Sequence, residues 1–435
     1  MELVEMKTKH GMVQNTFNWI ICDSRARVSA TVALTIVQGG PVTMIYGRIL
    51  MFFLAGACAL TLAELAIWLS RAQSYACGMA NMFAWIAICT GVVIIPSQLI
   101  IGVPWHYFIL HQVISASVLC YCHLLLYKTL WIHDAFFVTL ASFFIIVIFC
   151  FALLLLTSSP TRMHGLVLPN HMYAGIDGVL HLAEKCRDAA KVVPRALLRT
   201  LVISFGTSFA FLVAMLYYIS DFNAVVSAAT GVPIYEVWYQ ATHLTTAATV
   251  FIVLLCLAAV FTLNGAHETA SRLPWSVARG NALFGSCWMG KMHESLEVPV
   301  WTLLFNFSVI FLIECIYLSS SSAFNAFIAT GLTLQHVPYA FSALSLLCRR
   351  RESTRLPSSH TFKLPSIFGW AANIITVCFA ILVLVFYSFP ATMPVMGSNM
   401  NYTAAVLGFM TIFAVINWVF HARQWYQGPR LHVSP

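Results

Sequence analysis

The chain reads as a succession of apolar stretches, each about as long as a bilayer is thick. They lie at 15–37, 42–69, 79–103, 106–130, 132–157, 165–182, 196–219, 241–265, 298–318, 322–347, 367–389 and 403–422. An α-helix needs roughly 20 apolar residues to cross the hydrocarbon core. The expected fold class is therefore an all-α polytopic membrane protein with about 12 transmembrane helices. Charge supports this: Asp, Glu, Lys and Arg make up 9% of the 435 residues, against about 25% in a typical soluble domain. Such a chain cannot clothe a soluble surface. That excludes a soluble enzyme, a disordered chain, a secreted disulfide scaffold and, despite the net charge of +8, a nucleic-acid binder. The 13 cysteines fall mostly inside the apolar runs and read as small buried hydrophobes. Cys120, Cys122 and His123 share that setting, so no metal site and no cofactor are expected. The first residues, MELVEMKTKHGMVQ, mix acids with lysines and lack a cleavage site, which points to entry through the first span rather than a cleaved signal.

Basic residues orient the spans. With a cytoplasmic N-terminus and alternating crossings, all but four of the 23 basic residues fall in cytoplasmic loops or adjoining helix ends. The exceptions are Arg162, outside, and Arg25, Arg27 and Arg48, within spans. Cytoplasmic loops carry the excess of Lys and Arg, so both termini are expected inside. The sequon Asn401-Tyr402-Thr403 then lies outside, within reach of glycosylation. Turn chemistry separates neighbours: Gly39-Gly40-Pro41 between the first two spans, Ser158-Ser159-Pro160 after the fifth, Ser319 to Ser322 between the ninth and tenth.

Two spans are abnormal. The first carries Asp23, Arg25 and Arg27 near its middle, and each charge at a helix centre costs about 2.5–3.5 kcal/mol. The sixth is short and holds Pro169, His171, Gly175, Asp177 and His181. They occupy the same position in two successive five-span halves. Paired interrupted spans at matching positions point to inverted repeats with a binding site at the membrane midplane. Freed backbone groups at that depth are tolerated only where they line protein or a water-filled cavity.

Several motifs resemble the amino acid–polyamine–organocation superfamily, in particular its fungal permeases for amino acids, 4-aminobutyrate and choline. They are GGPVTMIYGRIL (39–50) with LAELA (62–66), GIDGVLHLAEKCRDAAKVVPRALL (175–198), TGVPIYEVWYQAT (230–242), ASRLPWSVARGNALF (270–284), SSSSAFNAFIATG (319–331) and MNYTAAVLG (400–408). The resemblance implies a leucine-transporter-like fold. A cytoplasmic N-terminus (1–14) leads to a first repeat (15–157, spans 1–5), a second (165–347, spans 6–10), two further spans (367–422) and a cytoplasmic C-terminus (423–435). It implies secondary active transport, in fungi usually with a proton as coupling ion, at the plasma membrane rather than the vacuole. The partners implied are a small amino acid or amine and the bilayer. The chain departs from the pattern in the short loop IWLSRAQSYACG after span 2, in a shortened span 6, and in Arg25 and Arg27. These leave a transport-impaired or binding-only relative as the alternative.

The expected substrate site joins Cys22, Asp23, Ser24, Arg25 and Arg27 to Tyr173, Ala174, Gly175 and Asp177, both segments locally non-helical. Gly175 permits unwinding, and freed N–H groups there would favour an anionic group. An arginine in the site would favour a carboxylate-bearing substrate. Against this, Asp23 and Arg27 at i,i+4 could be a structural pair, and Asp177 a satisfied buried acid. His181 and Glu184, one and two turns beyond Asp177, read as an inner gate or proton relay, or as a solvated helix end. Glu64, Glu314 and Arg48 read as structural. Trp85, Trp105, Trp131 and Trp238 read as packing or interface aromatics, one of which could cap the substrate. Asn325 could line a cavity.

Overall fold

The computed structural model describes residues 24–64, 71–100, 104–124, 141–142, 145–147, 176–181, 189–228, 232–294, 298–319, 321–348, 362, 364–389, 395–396, 400–426 and 428. Among them every regular element is a helix. The long helices are α1 (Ser24–Ala63), α2 (Arg71–Ile100), α3 (Pro104–Leu124), α5 (Ala189–Tyr218), α8 (Thr245–Arg279), α10 (Val300–Ser319), α11 (Ser321–Cys348), α12 (Ser366–Phe386) and α13 (Thr403–Asn417). Short helices are α4 (Gly178–His181), α6 (Phe222–Val226), α7 (Pro233–Thr242) and α9 (Ser286–Met289), and a π turn (Trp418–Ala422) continues α13 into α14 (Arg423–Trp425). Six of these helices are long and apolar enough to cross a membrane. The protein is an integral, multi-pass membrane protein.

Among the described residues two departures from the sequence expectation stand out, beside the starts of α2 and α5 eight and seven residues ahead of their apolar runs. Gly39-Gly40-Pro41 does not divide the first two apolar segments: α1 runs unbroken through it for 40 residues, about 60 Å at 1.5 Å per residue. Ser24, Arg25 and Arg27 form its first turn, so this part of the expected break is helical. Flanking residues without a breaker on either side outweighed one glycine pair and one proline. Second, the eighth span was expected to end at 265, and α8 continues to Arg279. The apolar run stops, but Glu268 and Arg272 pair across one helical turn at 3.7 Å and carry the helix onward. Thr262 to Trp275 are buried on every side, which makes α8 the axis of the bundle. Most of spans 5 and 6 lies outside the described residues.

Two apolar clusters meet along that axis. The first half of α8 (Phe251, Leu255, Ala259) packs with α1, α5 and α7 through Met44, Met51, Phe211 and Trp238. Its second half (Leu263, Ala266, Ala270) packs with α2, α10 and α11 through Met79, Met82, Ile310 and Phe324. In lipid, apolar surface gains little by leaving the tails, so close packing and interhelical polar contacts hold such helices together. Buried polar groups accordingly pair across helices. Glu314 of α10 accepts from Gln112 and Ser115 of α3. Arg48 of α1 donates to Ser208 and to the Ser204 carbonyl of α5. Thr61 bonds Asn373 and Thr376 of α12 at 3.1 Å each. Glu64 accepts from the Leu364 amide. Glu314 and Arg48 thus make interhelical contacts, and Glu64 ties the end of α1 to the segment before α12. Trp238 is fully buried and donates to the Met215 sulfur.

At the end where the basic residues gather, α13 is tied down. Asn417 is fully buried. Its Oδ1 accepts from the Phe284 amide at 3.1 Å, and its Nδ2 donates to the Tyr75 hydroxyl at 2.7 Å and the Ala282 carbonyl at 2.6 Å. Arg71 donates to the carbonyls of Ala422 and Arg423, and Tyr426 lies within hydrogen-bonding distance of Ser74. Asn417→Ala should cost about 1–3 kcal/mol, the penalty for stranding buried polar groups. Thermal unfolding of the detergent-solubilised protein would report it, and an unchanged midpoint would remove Asn417 from the scaffold. At the opposite end, the Asn401 amide nitrogen donates to the Tyr387 and Phe389 carbonyls at 2.7 and 2.8 Å. The nitrogen that glycosylation would need is engaged in holding the loop.

Candidate functional site

Asp177 is the centre of the best-formed polar cluster. It lies 1% exposed in the turn that opens α4, where Leu180 N–H bonds its carbonyl at 2.8 Å. Three side chains from three elements converge on its carboxyl group. Gln335 of α11 donates to Oδ1 at 2.7 Å. Trp85 of α2 donates its indole N–H to Oδ2 at 3.2 Å. His181, one turn along α4, brings Nε2 to 3.1 Å from the same Oδ2. Burying a carboxylate is costly unless it is paired and hydrogen-bonded, and here it is both. The packing explains the convergence. Gly331 stands one turn before Gln335, and a Cβ there would meet the Ala87 Cβ at 2.3 Å and the Ala84 carbonyl oxygen at 3.2 Å. Glycine and two alanines bring α2 and α11 close enough for Trp85 and Gln335 to reach one acid.

The contact between Asp177 and His181 needs a hydrogen between its two atoms. An unprotonated Nε2 and an ionised Oδ2 are both acceptors, and at 3.1 Å they repel. One proton must sit between them, either on His181 donating to the carboxylate or on Asp177 donating to the imidazole. Nε2 also lies 3.0 Å from Nδ2 of Asn81, on α2, while the Asn81 Oδ1 has no partner. With the proton on the acid, the single Nε2 lone pair accepts from Asp177 and leaves none for the Asn81 amide. With it on the imidazole, the amide is better turned so that its oxygen faces Nε2. The His181 ring stands edge-on to Trp85, centroids 5.9 Å apart.

A cavity of about 740 Å³ leads to this pair. Tyr426, Arg279 and Asn281 line it at the basic end, Leu273, Ser276 and Pro338 along its length, and Asn81 and His181 at its head. Asp177 does not line it: the acid stands behind His181, its lone pairs already engaged. Pro338 has no N–H for the Leu334 carbonyl, which loosens the α11 ladder beside the cavity.

Among the sequence-expected site residues, the structure joins Asp177 and His181. Ser24, Arg25 and Arg27 are helical in α1. Cys22, Asp23, Tyr173, Ala174, Gly175 and Glu184 lie outside the described residues. Trp85 is a hydrogen-bond donor to the site, beyond packing. Asn325 stands exposed on α11 and lines no part of this cavity. Asn81 and Gln335 were missed. The signal was present: each is an amide inside an apolar span, and intramembrane polar groups mark functional sites as charges do.

Known proteins resemble the chain as follows. Residues 163–430 match the model of the family described as amino acid permease. The choline transporter of Saccharomyces cerevisiae is 30% identical over 260 residues, 60% of this chain and 45% of that protein. A candidate amino acid/polyamine transporter of Macrophomina phaseolina is 23% identical over 89% of this chain and 96% of its own length. Apart from such end-to-end matches, the chain spans about half the length of the curated relatives it matches, the choline transporter among them. A crystal structure of the Eremococcus coleocola manganese transporter superposes with a TM-score of 0.57 at 13% identity. The match covers 94% of this chain and 93% of that one, a likeness of fold.

Proposed function

We infer, for a chain that belongs to the amino acid permease family, a secondary active transporter that couples entry of a small amino acid or organic amine to a proton. Substrates of the class of 4-aminobutyrate or choline fit this reading, which takes the latter from the relative named for it. The observation that carries it is the buried Asp177 carboxyl group, hydrogen-bonded to His181, at the head of a cavity large enough for such a molecule. A loaded proton and a bound solute at one place are what symport requires, because each then changes the free energy of the other. We also read the wider architecture as two five-span inverted repeats with two further spans, the interrupted spans 1 and 6 flanking the substrate. In that reading Cys22 to Arg27 and Tyr173 to Gly175 complete the site and Glu184 extends the relay. The decisive experiment is uptake by cells expressing the chain, over a panel of radiolabelled amino acids, 4-aminobutyrate, choline and polyamines. Accumulation of one of them against its gradient, collapsed by a protonophore, is expected. Uptake that only equilibrates, or that ignores the protonophore, overturns the coupling.

The basic end of the bundle is read as cytoplasmic, in the plasma membrane, so the cavity opens inward. Single cysteines introduced at 191, 279 and 291 should escape an impermeant thiol reagent added to intact cells and react after permeabilisation. Strong labelling of any one from outside reverses the orientation.

One observation favours a second reading. The first turn of α1, where the site was expected to open, is helical. A chain that binds substrate without cycling would have that character. Saturable binding to purified protein, with no accumulation in cells, would establish the binding-only relative in place of the transporter.

A further inference from the structure

A groove of about 500 Å³ runs between α2 and α13, floored by α11. Ala72, Ala76 and Ala80, one per turn, form its wall on α2, and Leu407, Met410 and Ala414 form the wall on α13. The two hydroxyl groups on it are already engaged. The Tyr75 hydroxyl donates to the Ala414 carbonyl and accepts from Asn417, and Thr411 donates to its own helix at Leu407. Nothing along the groove invites a polar ligand. From Ala72 to Phe83 it extends eleven residues, about 16 Å of helix, close to half of a hydrocarbon core of about 30 Å. At its mouth stands Arg71, exposed, held over the Trp418 ring at 6.0 Å by its bonds to the Ala422 and Arg423 carbonyls. Among the described residues no carboxylate pairs with it. The exposed Arg423 adds a second cation in the same turn.

We propose that this groove binds one acyl chain of an anionic phospholipid, whose phosphate sits on Arg71. A hydrocarbon slot one leaflet deep, ending at an uncompensated guanidinium over an amphipathic aromatic, matches such a lipid in both length and charge. The site is separate from the cavity at Asp177, and its occupancy can be read without any transported solute.

The full-length protein, purified in mild detergent, is exposed to equal amounts of phosphatidylserine and phosphatidylcholine of identical chains, with oleate in a parallel sample. Retained lipid is counted by native mass spectrometry. One phosphatidylserine per chain is expected, favoured about fivefold over phosphatidylcholine, the scale of one basic residue at a membrane surface. Arg71→Gln should bring that preference to parity with a chain still retained. Ala76→Phe should abolish retention, with thermal unfolding checked alongside. Should Ala76→Phe fail to fold, Arg71→Gln alone decides. No retained lipid, equal retention of the two phospholipids by the unaltered chain, a preference unmoved by Arg71→Gln, or selection of oleate over phospholipid each overturns the proposal.

Discussion

Asp177→Asn should reduce coupled uptake on the order of a hundredfold, the scale of losing a positioned proton-transfer group, while surface abundance changes far less. The amide keeps the size of the acid but not its chemistry. Its nitrogen faces donors: the Trp85 indole and, in one protonation state, His181. Hydrogen bonds to a charged partner are worth about 1.5–3 kcal/mol each, so some loss of stability accompanies the change. A purely structural acid would give a less stable protein whose residual uptake still collapses with a protonophore. A proton-holding acid leaves residual uptake that no longer responds to one. His181→Gln separates the roles further. It retains a partner for Asn81 but cannot share the proton, so solute should equilibrate without accumulating.

The second large effect is steric. In Gly331→Ala, the added methyl would lie 2.3 Å from the Ala87 Cβ, so α2 and α11 must separate or bend. Overpacking of this kind costs about 1–3 kcal/mol. Separation also pulls Trp85 and Gln335 off the Asp177 carboxyl, and transport should fall beyond what the lost stability explains. Ala87→Gly makes room on the facing helix. The double variant Gly331→Ala/Ala87→Gly should recover much of both stability and uptake, a coupling that a double-mutant cycle measures. Additive losses would mean that the two residues do not meet.

The all-helical membrane fold was legible because spans of apolar residues are long signals that no local detail reverses. Most helix limits from 189 onward fall within a few residues of their apolar runs; α5 starts seven residues early, and α8 runs on because an internal ion pair extends it. Asp177 and His181 stood out as ionisable groups in a span too polar for lipid. Asn81 and Gln335 did not, since an uncharged amide hardly dents the hydropathy of its neighbours, and its meaning comes from the helix opposite. The contact of α2 with α11 was likewise out of reach. Gly331 is one glycine among many until Ala84 and Ala87 are known to face it. The turn at Gly39 to Pro41 was over-read: breaker residues mark where a helix can stop, not where it must.

The close seat of α2 on α11 also sets what can move. Both donors that hold Asp177 from the long helices belong to this pair, and their backbones already touch through Gly331 and the two alanines. Packed interiors of that kind shift as blocks rather than deform. The pair is one close-packed unit, and the short 176–181 segment presents its acid and imidazole to it on a single turn. On the proton-coupled reading, a stroke that parts the acid from Trp85 and Gln335 moves that segment against the helix pair and carries the acid and the imidazole together.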